Sequence, residues 1–361
     1  MEKINKDCCL LYFVPLLLAF KLMSGCSSGS SNSTANEPSE KLISDILFEN
    51  EKFKECVEEL ALENNWLYAS EVTEILCPGQ YGSATNISST KGLEEFNNVV
   101  ELNFSYNDLS EIDLSGNALL TSLRLISNEL TKIDVSNNVA LATLNLDLNQ
   151  ITHIDVSNNE ALTVLKLRRN LIKTIDLRSN QILKELDLYE NELSDIDISN
   201  NLELTGVWFG ENNLTSIDLG INSKLDGLNL NDNLLTDVDL SNNKKLTGMD
   251  LSGNKLTSID ISANTKLTYL DLALNQLATI DLSNNIALTH VDLYSNQLTN
   301  IDISNNSELD RVYLSSNQLT SIDVSNNSKL SYLYLVSNPL TQGTKNYLDS
   351  INGQNGLEIV Y

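Results

Sequence analysis

No cysteine follows Cys77, so the greater part of the chain can hold no disulfide, no thiolate metal ligand and no cysteine nucleophile. The five cysteines are Cys8, Cys9, Cys26, Cys56 and Cys77, and the two histidines, His153 and His290, lie far apart. Proline occurs four times and aromatic residues make up only 6%. With Leu and Asn dominating what remains, this composition argues against an ordinary globular domain. Positive charge is also scarce: 23 Lys and Arg stand against 49 Asp and Glu, a formal net charge of −26. Like charge repels and no counterions would be released, which disfavours nucleic acid and anionic lipid as partners; a solubilising coat accounts for the excess. The sequence contains no H-E-x-x-H, no G-x-S-x-G and no glycine-rich phosphate loop. It therefore reads as a non-enzyme with no catalytic residues, no cofactor and no metal.

The N-terminus carries an address. Residues 10–20, LLYFVPLLLAF, form an apolar run too short to cross a bilayer as a helix. Lys3 and Lys6 precede it and Ser24-Gly25-Cys26 follow, the order of a secretion signal over residues 1–25. The run Leu22-Met-Ser-Gly-Cys26 resembles the lipobox of bacterial lipoproteins. In that family the cysteine becomes the first mature residue and carries the lipid, which makes Cys26 the anchor. Residues 26–40 then supply a Ser-rich flexible tether. Ser27 after the cysteine is similar to the outer-membrane sorting pattern. The implied location is the bacterial cell envelope, at the outer membrane or cell surface, with the lipid as the chain's membrane contact.

Residues 41–98 form an N-terminal module. Residues 41–66 are predicted helical, with Phe53, Val57, Leu60 and Ala61 on one face, and Val72–Cys77 is predicted to be a strand closed by Pro78-Gly79. Cys56 and Cys77 are the remaining cysteines of an exported chain, and an isolated pair there is most simply a disulfide, worth ~3 kcal/mol by the chain-entropy estimate. Two cysteines with no histidine nearby make a poor zinc site.

From Val99 the chain repeats every 21 residues without insertion or deletion, through Leu120 and Leu141 to Leu330, twelve turns spanning residues 99–340. One turn reads L-x-x-L-x-L-x-x-N-x-L-x-x-I-D-(V/L/I)-S-N-N-x-x. This pattern resembles the leucine-rich repeat, in the form with I-D-V-S-N-N found in internalin-type bacterial surface proteins. Departures from a cysteine-stacking member of that group are Leu or Phe in the cysteine column, the lack of a cell-wall sorting motif and the lack of extra C-terminal domains. The resemblance implies a repeat solenoid: an arc with a parallel β-sheet on its concave face, a mostly irregular convex side and a small helical N-terminal cap. Twelve strands at ~4.8 Å would run roughly 55 Å along the arc.

Three polar columns accompany the leucines. Asn107, Asn128, Asn149 and their successors to Asn338 recur once per turn, as do Asn117 to Asn327; their amides both donate and accept and are read as structural. Asp113, Asp134 and so on to Asp323 should point outward on the convex side. That carboxylate ladder suits calcium in its oxygen chemistry; the alternative is bonding to neighbouring Ser, Thr and backbone N–H groups. Residues 341–361, with Tyr347, Leu348, Ile351 and a final Leu357–Tyr361 segment, form the C-terminal cap that a solenoid edge needs.

Regularity turns the variable strand positions into a map of the concave face. Arg124, Lys166, Arg168 and Arg169 make a basic patch. Tyr189 and Trp208 sit one turn apart beside Gly206, Gly227 and Gly248, a column expected to leave room for a ligand. Asp250, Asp271 and Asp292 line up before Tyr269, Tyr294, Tyr313, Tyr332 and Tyr334. Exposed Tyr, Trp and Arg dominate protein interfaces. The favoured reading is a monomeric cell-surface module that recognises a protein. Alternatives are glycan binding through stacked aromatics, a purely structural envelope role, and drift on a tolerant surface. For the anchor, the expected outcome is membrane partitioning with incorporation of labelled palmitate, both lost in Cys26→Ser; identical fractionation of the two forms would refute it.

Overall fold

Each turn of the repeat contributes a three-residue strand because an inward apolar residue is flanked by two outward ones, the two-residue alternation of a β-strand. The computed structural model describes residues 40–80 and 86–361, so the proposed signal segment and the Cys26 anchor lie outside it. Strand β1 is Glu74–Leu76. Twelve repeat strands follow: β2 (Glu101–Asn103), β3 (Ser122–Arg124), β4 (Thr143–Asn145), β5 (Val164–Lys166), β6 (Glu185–Asp187), β7 (Gly206–Trp208), β8 (Gly227–Asn229), β9 (Gly248–Asp250), β10 (Tyr269–Asp271), β11 (His290–Asp292), β12 (Arg311–Tyr313) and β13 (Tyr332–Tyr334). The last strand, β14, is Glu358–Val360. All 14 join one sheet in chain order. Neighbours pair in parallel and residue for residue, as in Leu102↔Leu123 and Leu270↔Val291. A constant repeat length leaves no register shift, so each column of the sequence is a physical column on the sheet.

The middle residue of every repeat strand is buried, from Leu102 to Leu333, and so are the inward residues that follow, Phe104, Leu125 and on to Leu335. Leaving the strand, the chain turns through a left-handed residue in every turn: Tyr106 (φ 61°), Ser127 (55°), Leu148 (58°) and so on to Ser337 (61°), with a glycine only at Gly253. Asparagine comes next, and its amide closes the turn. Asn212 Nδ2 donates to the carbonyls of Leu188 (2.9 Å), Phe209 (3.0 Å) and Gly210 (3.1 Å). Its Oδ1 accepts from the backbone N–H of Leu193 at 2.9 Å. One side chain thus satisfies backbone groups of its own turn and of the turn before.

The second asparagine column is fully buried. Asn201 Nδ2 donates to Leu177 O (3.1 Å) and Asn180 O (2.8 Å) in the preceding turn, while its Oδ1 finds no protein partner. The aspartate column is exposed, and each carboxylate accepts the N–H two residues on, as Asp260 does from Ser262 at 2.9 Å. Hydrogen bonds from Ser262 hold the Asp260 carboxyl below its ordinary range. The turn therefore accounts for the aspartates. Among the described residues no three His, Cys, Asp or Glu side chains gather into a metal-binding group.

The N-terminal module departs from its expectation at one end. Instead of a helix over 41–66, a single 3-10 turn spans Ile43–Asp45 and helix α1 spans Glu51–Asn64. Asn50 is the reason: its side chain accepts from Phe53 N at 3.0 Å and starts the helix there. The chain ahead of it carries Phe48 inward, edge-on to Phe53 at 5.2 Å. Phe53, Val57 and Ala61 are buried, Leu60 partly so. Phe53 also meets Phe104 of the first repeat edge-on at 5.4 Å, which seats the cap on the solenoid. The expected strand over Val72–Cys77 pairs only at β1, and Cys56–Cys77 is a disulfide between α1 and the residue after β1. At the other end, helix α2 (Gln342–Ile351) starts at Thr341, buries Leu348 and leads into β14.

Asn212→Ala is expected to cost about 1–3 kcal/mol, since it strands the buried Leu193 N–H and takes one of two donors from each of the Leu188, Phe209 and Gly210 carbonyls. Asn201→Ala should cost less, because that amide's oxygen is already unpaired. Chemical denaturation of both variants checks the order, and a neutral Asn212→Ala would show that the first ladder is solvated.

Candidate functional site

Every repeat strand presents its first and third residues outward, so the sheet face carries two ladders of side chains one strand apart. In the N-terminal half these ladders pair internally. Arg124 pairs with Glu101 one strand back, Lys166 with Glu185 at 3.5 Å, and Arg169 with Glu190. Arg168 lies over the Tyr189 ring, 4.3 Å from its centroid, and the Tyr189 hydroxyl donates to Glu211. The expected basic patch therefore has an acidic or aromatic neighbour at each cation. Such exposed pairs are each worth well under ~1 kcal/mol, yet they cancel the patch's field locally.

Trp208 and the glycine column need a correction. The indole lies across Gly206, where a Cβ would come within 2.3 Å of the ring. Gly206 therefore makes room for Trp208 rather than for a ligand. At Gly227 and Gly248 a Cβ would meet nothing within 4 Å, so there the space is open. Tyr189 lies beside Gly210, whose Cβ would meet the Asn231 and Asn229 amide oxygens first, at 2.0 and 2.4 Å, and then the Tyr189 ring at 2.9 Å.

Beyond the open glycines the face changes character. Asp250, Asp271 and Asp292 pair across β9, β10 and β11. One oxygen of each is taken by the N–H two residues on, from Ser252 (3.0 Å), Ala273 (3.0 Å) and Tyr294 (2.8 Å). Among the described residues none of the three has a cation within ion-pair reach, although Asn229 Nδ2 donates to Asp250 at 3.2 Å. Burial, reinforced by the charges of Asp250 and Asp292, pushes the Asp271 carboxyl up to about 6. Burial also raises Asp292 and lowers His290. Tyr269 is pushed up to about 12, first by burial and then by the charges of Asp271 and Asp250.

Beside this row runs a continuous ladder of rings. Tyr269 stacks on His290 at 5.0 Å, His290 meets Tyr313 at 5.3 Å, and Tyr313 stacks on Tyr334 at 5.1 Å. The ladder crosses from the first strand position to the third between β11 and β12, and His290 is the rung that makes the crossing. Tyr332 sits beside it under Arg311, 5.4 Å from the guanidinium carbon. Tyr294, on the segment after β11, is 43% exposed and outside the stack. Of the residues expected in the site, Tyr269, Tyr313 and Tyr334 are thus drawn into one object flanked by the aspartates. His290 was not among those residues. Its signal was visible in the sequence as an imidazole in the column next to Tyr269.

These features define a leucine-rich-repeat solenoid whose sheet face carries graded side-chain chemistry. No known protein-family pattern and no curated protein sequence matches the chain. Solved structures do. The functional domain of InlJ from Listeria monocytogenes, which includes a cysteine ladder, is 27% identical over 90% of this chain and 82% of its own, with a TM-score of 0.68. An internalin (inlF) from Listeria monocytogenes is 23% identical over 89% and 97% respectively, with a TM-score of 0.78. The LRIM1/APL1C complex contains a similar fold at 22% identity, covering 79% of this chain and 56% of that one, with a TM-score of 0.65. The chain is thus similar to bacterial leucine-rich-repeat proteins of the internalin kind. Unlike InlJ, which includes a cysteine ladder, this solenoid stacks only Leu and Phe in the buried column just after the repeat strands, from Phe104 to Leu335.

Asp271 yields a test of this electrostatic picture. Its folded value lies above the ordinary unfolded value of ~3.9, so the native state favours the neutral acid. That contribution is fully present below the unfolded value and is lost as pH rises through about 6. Asp271→Asn should therefore be more stable than wild type above pH ~6, with the gap closing below pH ~4. Calorimetric melting points across this range check it; a pH-independent gap would count against a half-buried carboxyl.

Proposed function

We propose that this protein is a non-enzymatic, cell-surface binding module that recognises another protein through the C-terminal half of its sheet face. The observation carrying the proposal is the outward ladder Tyr269–His290–Tyr313–Tyr334, held by strands whose backbone is paired on both sides. Aromatic side chains at water contact gain most when a partner buries them, and they lose little rotamer freedom in doing so. Stacking on one another covers the faces of the inner rings and leaves their edges outward. Edges suit the mixed apolar and polar surface of a protein better than the flat face of a sugar. The similar fold in the LRIM1/APL1C complex supports a protein partner.

Glycan binding has one observation in its favour: the partly exposed Trp208 indole, folded over Gly206, is a ring on which a sugar could stack. Export and anchoring through Cys26, with the Ser-rich segment 27–40 as the tether, complete the reading. No helix among the described residues is long and apolar enough to cross a membrane.

Pulldown of surface proteins on the immobilised chain, run beside a glycan array, separates the two readings. Tyr313→Ala and Tyr334→Ala are each expected to weaken capture of a protein partner by more than ~1 kcal/mol, the usual hot-spot threshold, without lowering the melting point. Normal capture by both, with capture abolished by Arg168→Glu or Arg169→Glu, would move the site to the N-terminal half.

A further inference from the structure

Gly227 and Gly248 are the least explained residues on the sheet face. Glycine inside a strand forfeits side-chain packing and costs backbone entropy on folding, so it persists where something requires it. The usual requirements are missing here. Neither residue has a positive φ, unlike Gly253. Neither gives way to a neighbouring side chain, as Gly206 does to Trp208 and Gly210 to Asn231, Asn229 and Tyr189, because a Cβ at either position would meet nothing within 4 Å. They pair with each other on β8 and β9, and the result is a strip of bare backbone on the outer face. Trp208 on β7 and Tyr269 on β10 close its two ends, three strand spacings or about 14 Å apart. Along one side run Asn229, Asp250 and Asp271.

Charge identifies what fits such a trough. Wherever a cation stands on the N-terminal half of the face, an acidic or aromatic partner stands within one turn. Among the described residues no Lys or Arg stands against the three aspartates: Asp271 takes a long hydrogen bond from the Tyr269 hydroxyl (3.4 Å) and Asp292 feels His290, yet the row lies half-buried and adjacent without a permanent cation. A hydroxyl-rich ligand would leave their mutual repulsion in place, whereas a guanidinium or ammonium group would relieve it and lie against the indole or phenol faces at either end.

We propose that the glycine-floored trough between Trp208 and Tyr269 receives an arginine or lysine side chain of the protein partner, paired with Asp250 and Asp271. This rests on the reading of the face as a protein-binding surface and adds the chemistry of the partner: a basic, extended segment running along the aspartate row.

The trough can be plugged without disturbing the fold. Gly227→Leu with Gly248→Leu places side chains into open space on strands that gain β-propensity, so the melting point should hold or rise. The probe is an octapeptide alternating arginine and glycine, with its citrulline counterpart as the uncharged control, titrated against the full chain at low salt. The leucine pair, and separately Asp250→Asn with Asp271→Asn, should each weaken the arginine peptide at least tenfold. The convex-face pair Asp239→Asn with Asp260→Asn makes the same charge change and should alter binding less than twofold. Equal loss from the two aspartate pairs would reduce the effect to diffuse attraction by a chain of net charge −26 and overturn the proposal. So would undiminished peptide binding by the leucine pair, or a loss of oligosaccharide binding in that pair while the peptide still binds. Capture of a whole partner that needs Tyr313 and Tyr334 but is indifferent to the trough variants would refute this inference and leave the binding face standing. Indifference to both sets would refute the two together.

Discussion

A buried carbonyl or N–H without a partner costs a few kcal/mol at most, but a solenoid repeats any such cost in every turn. The turn following each strand curls its backbone inward, where bonds to the neighbouring turn, such as Leu148 N to Arg168 O at 2.7 Å, satisfy only part of its polar groups. A single asparagine amide meets this demand. Through Asn212, three carbonyls and one N–H are satisfied across two turns, and the same geometry recurs from Asn128 to Asn317. The left-handed residue before each asparagine is the associated strain. Leucine, arginine and glutamate adopt it at Leu148, Arg169 and Glu190, a conformation that non-glycine residues avoid unless the surroundings impose it.

Once the turns are closed in this way, the sheet face becomes a rigid display in which function can vary without touching the core. Its outward positions carry ion pairs at one end, rings and carboxylates at the other, and bare glycine between. Half-burial gives the carboxylates their character: desolvation, more than mutual charge, lifts Asp271 toward neutrality. Each carboxylate ties one oxygen to its own turn, which aims the row outward and limits its freedom to relax. A partner that neutralised the row would meet groups already in position, so little ordering would be required of this side of the interface.

Much of this was legible beforehand because a period of 21 without a break makes every sequence column a spatial column. Both asparagine ladders and the alignment of Asp250 with Asp271 and Asp292 followed from spacing, and the parallel sheet followed from strand alternation together with the resemblance to the leucine-rich repeat. The disulfide followed from cysteine counting. The extent of the N-terminal helix did not, since apolar spacing over 41–66 is blind to Asn50 acting as the cap and to Phe48 turning inward. Nor did the pairing of Arg124, Lys166 and Arg169. Each glutamate partner lies 19 to 23 residues away along the chain, and its side-chain direction decides whether the cation is free.

By itself, then, the sequence determined which residues face outward, through the two-residue alternation of a strand and a constant repeat length, and it implied a repeat solenoid through its resemblance to the leucine-rich repeat. The tertiary structure alone decided what those outward residues do to one another. It folded Trp208 over Gly206, left Gly227 and Gly248 open, and inserted His290 between Tyr269 and Tyr313. These outcomes depend on side-chain rotamers between strands a few ångströms apart, a distance at which spacing in the chain carries no further information.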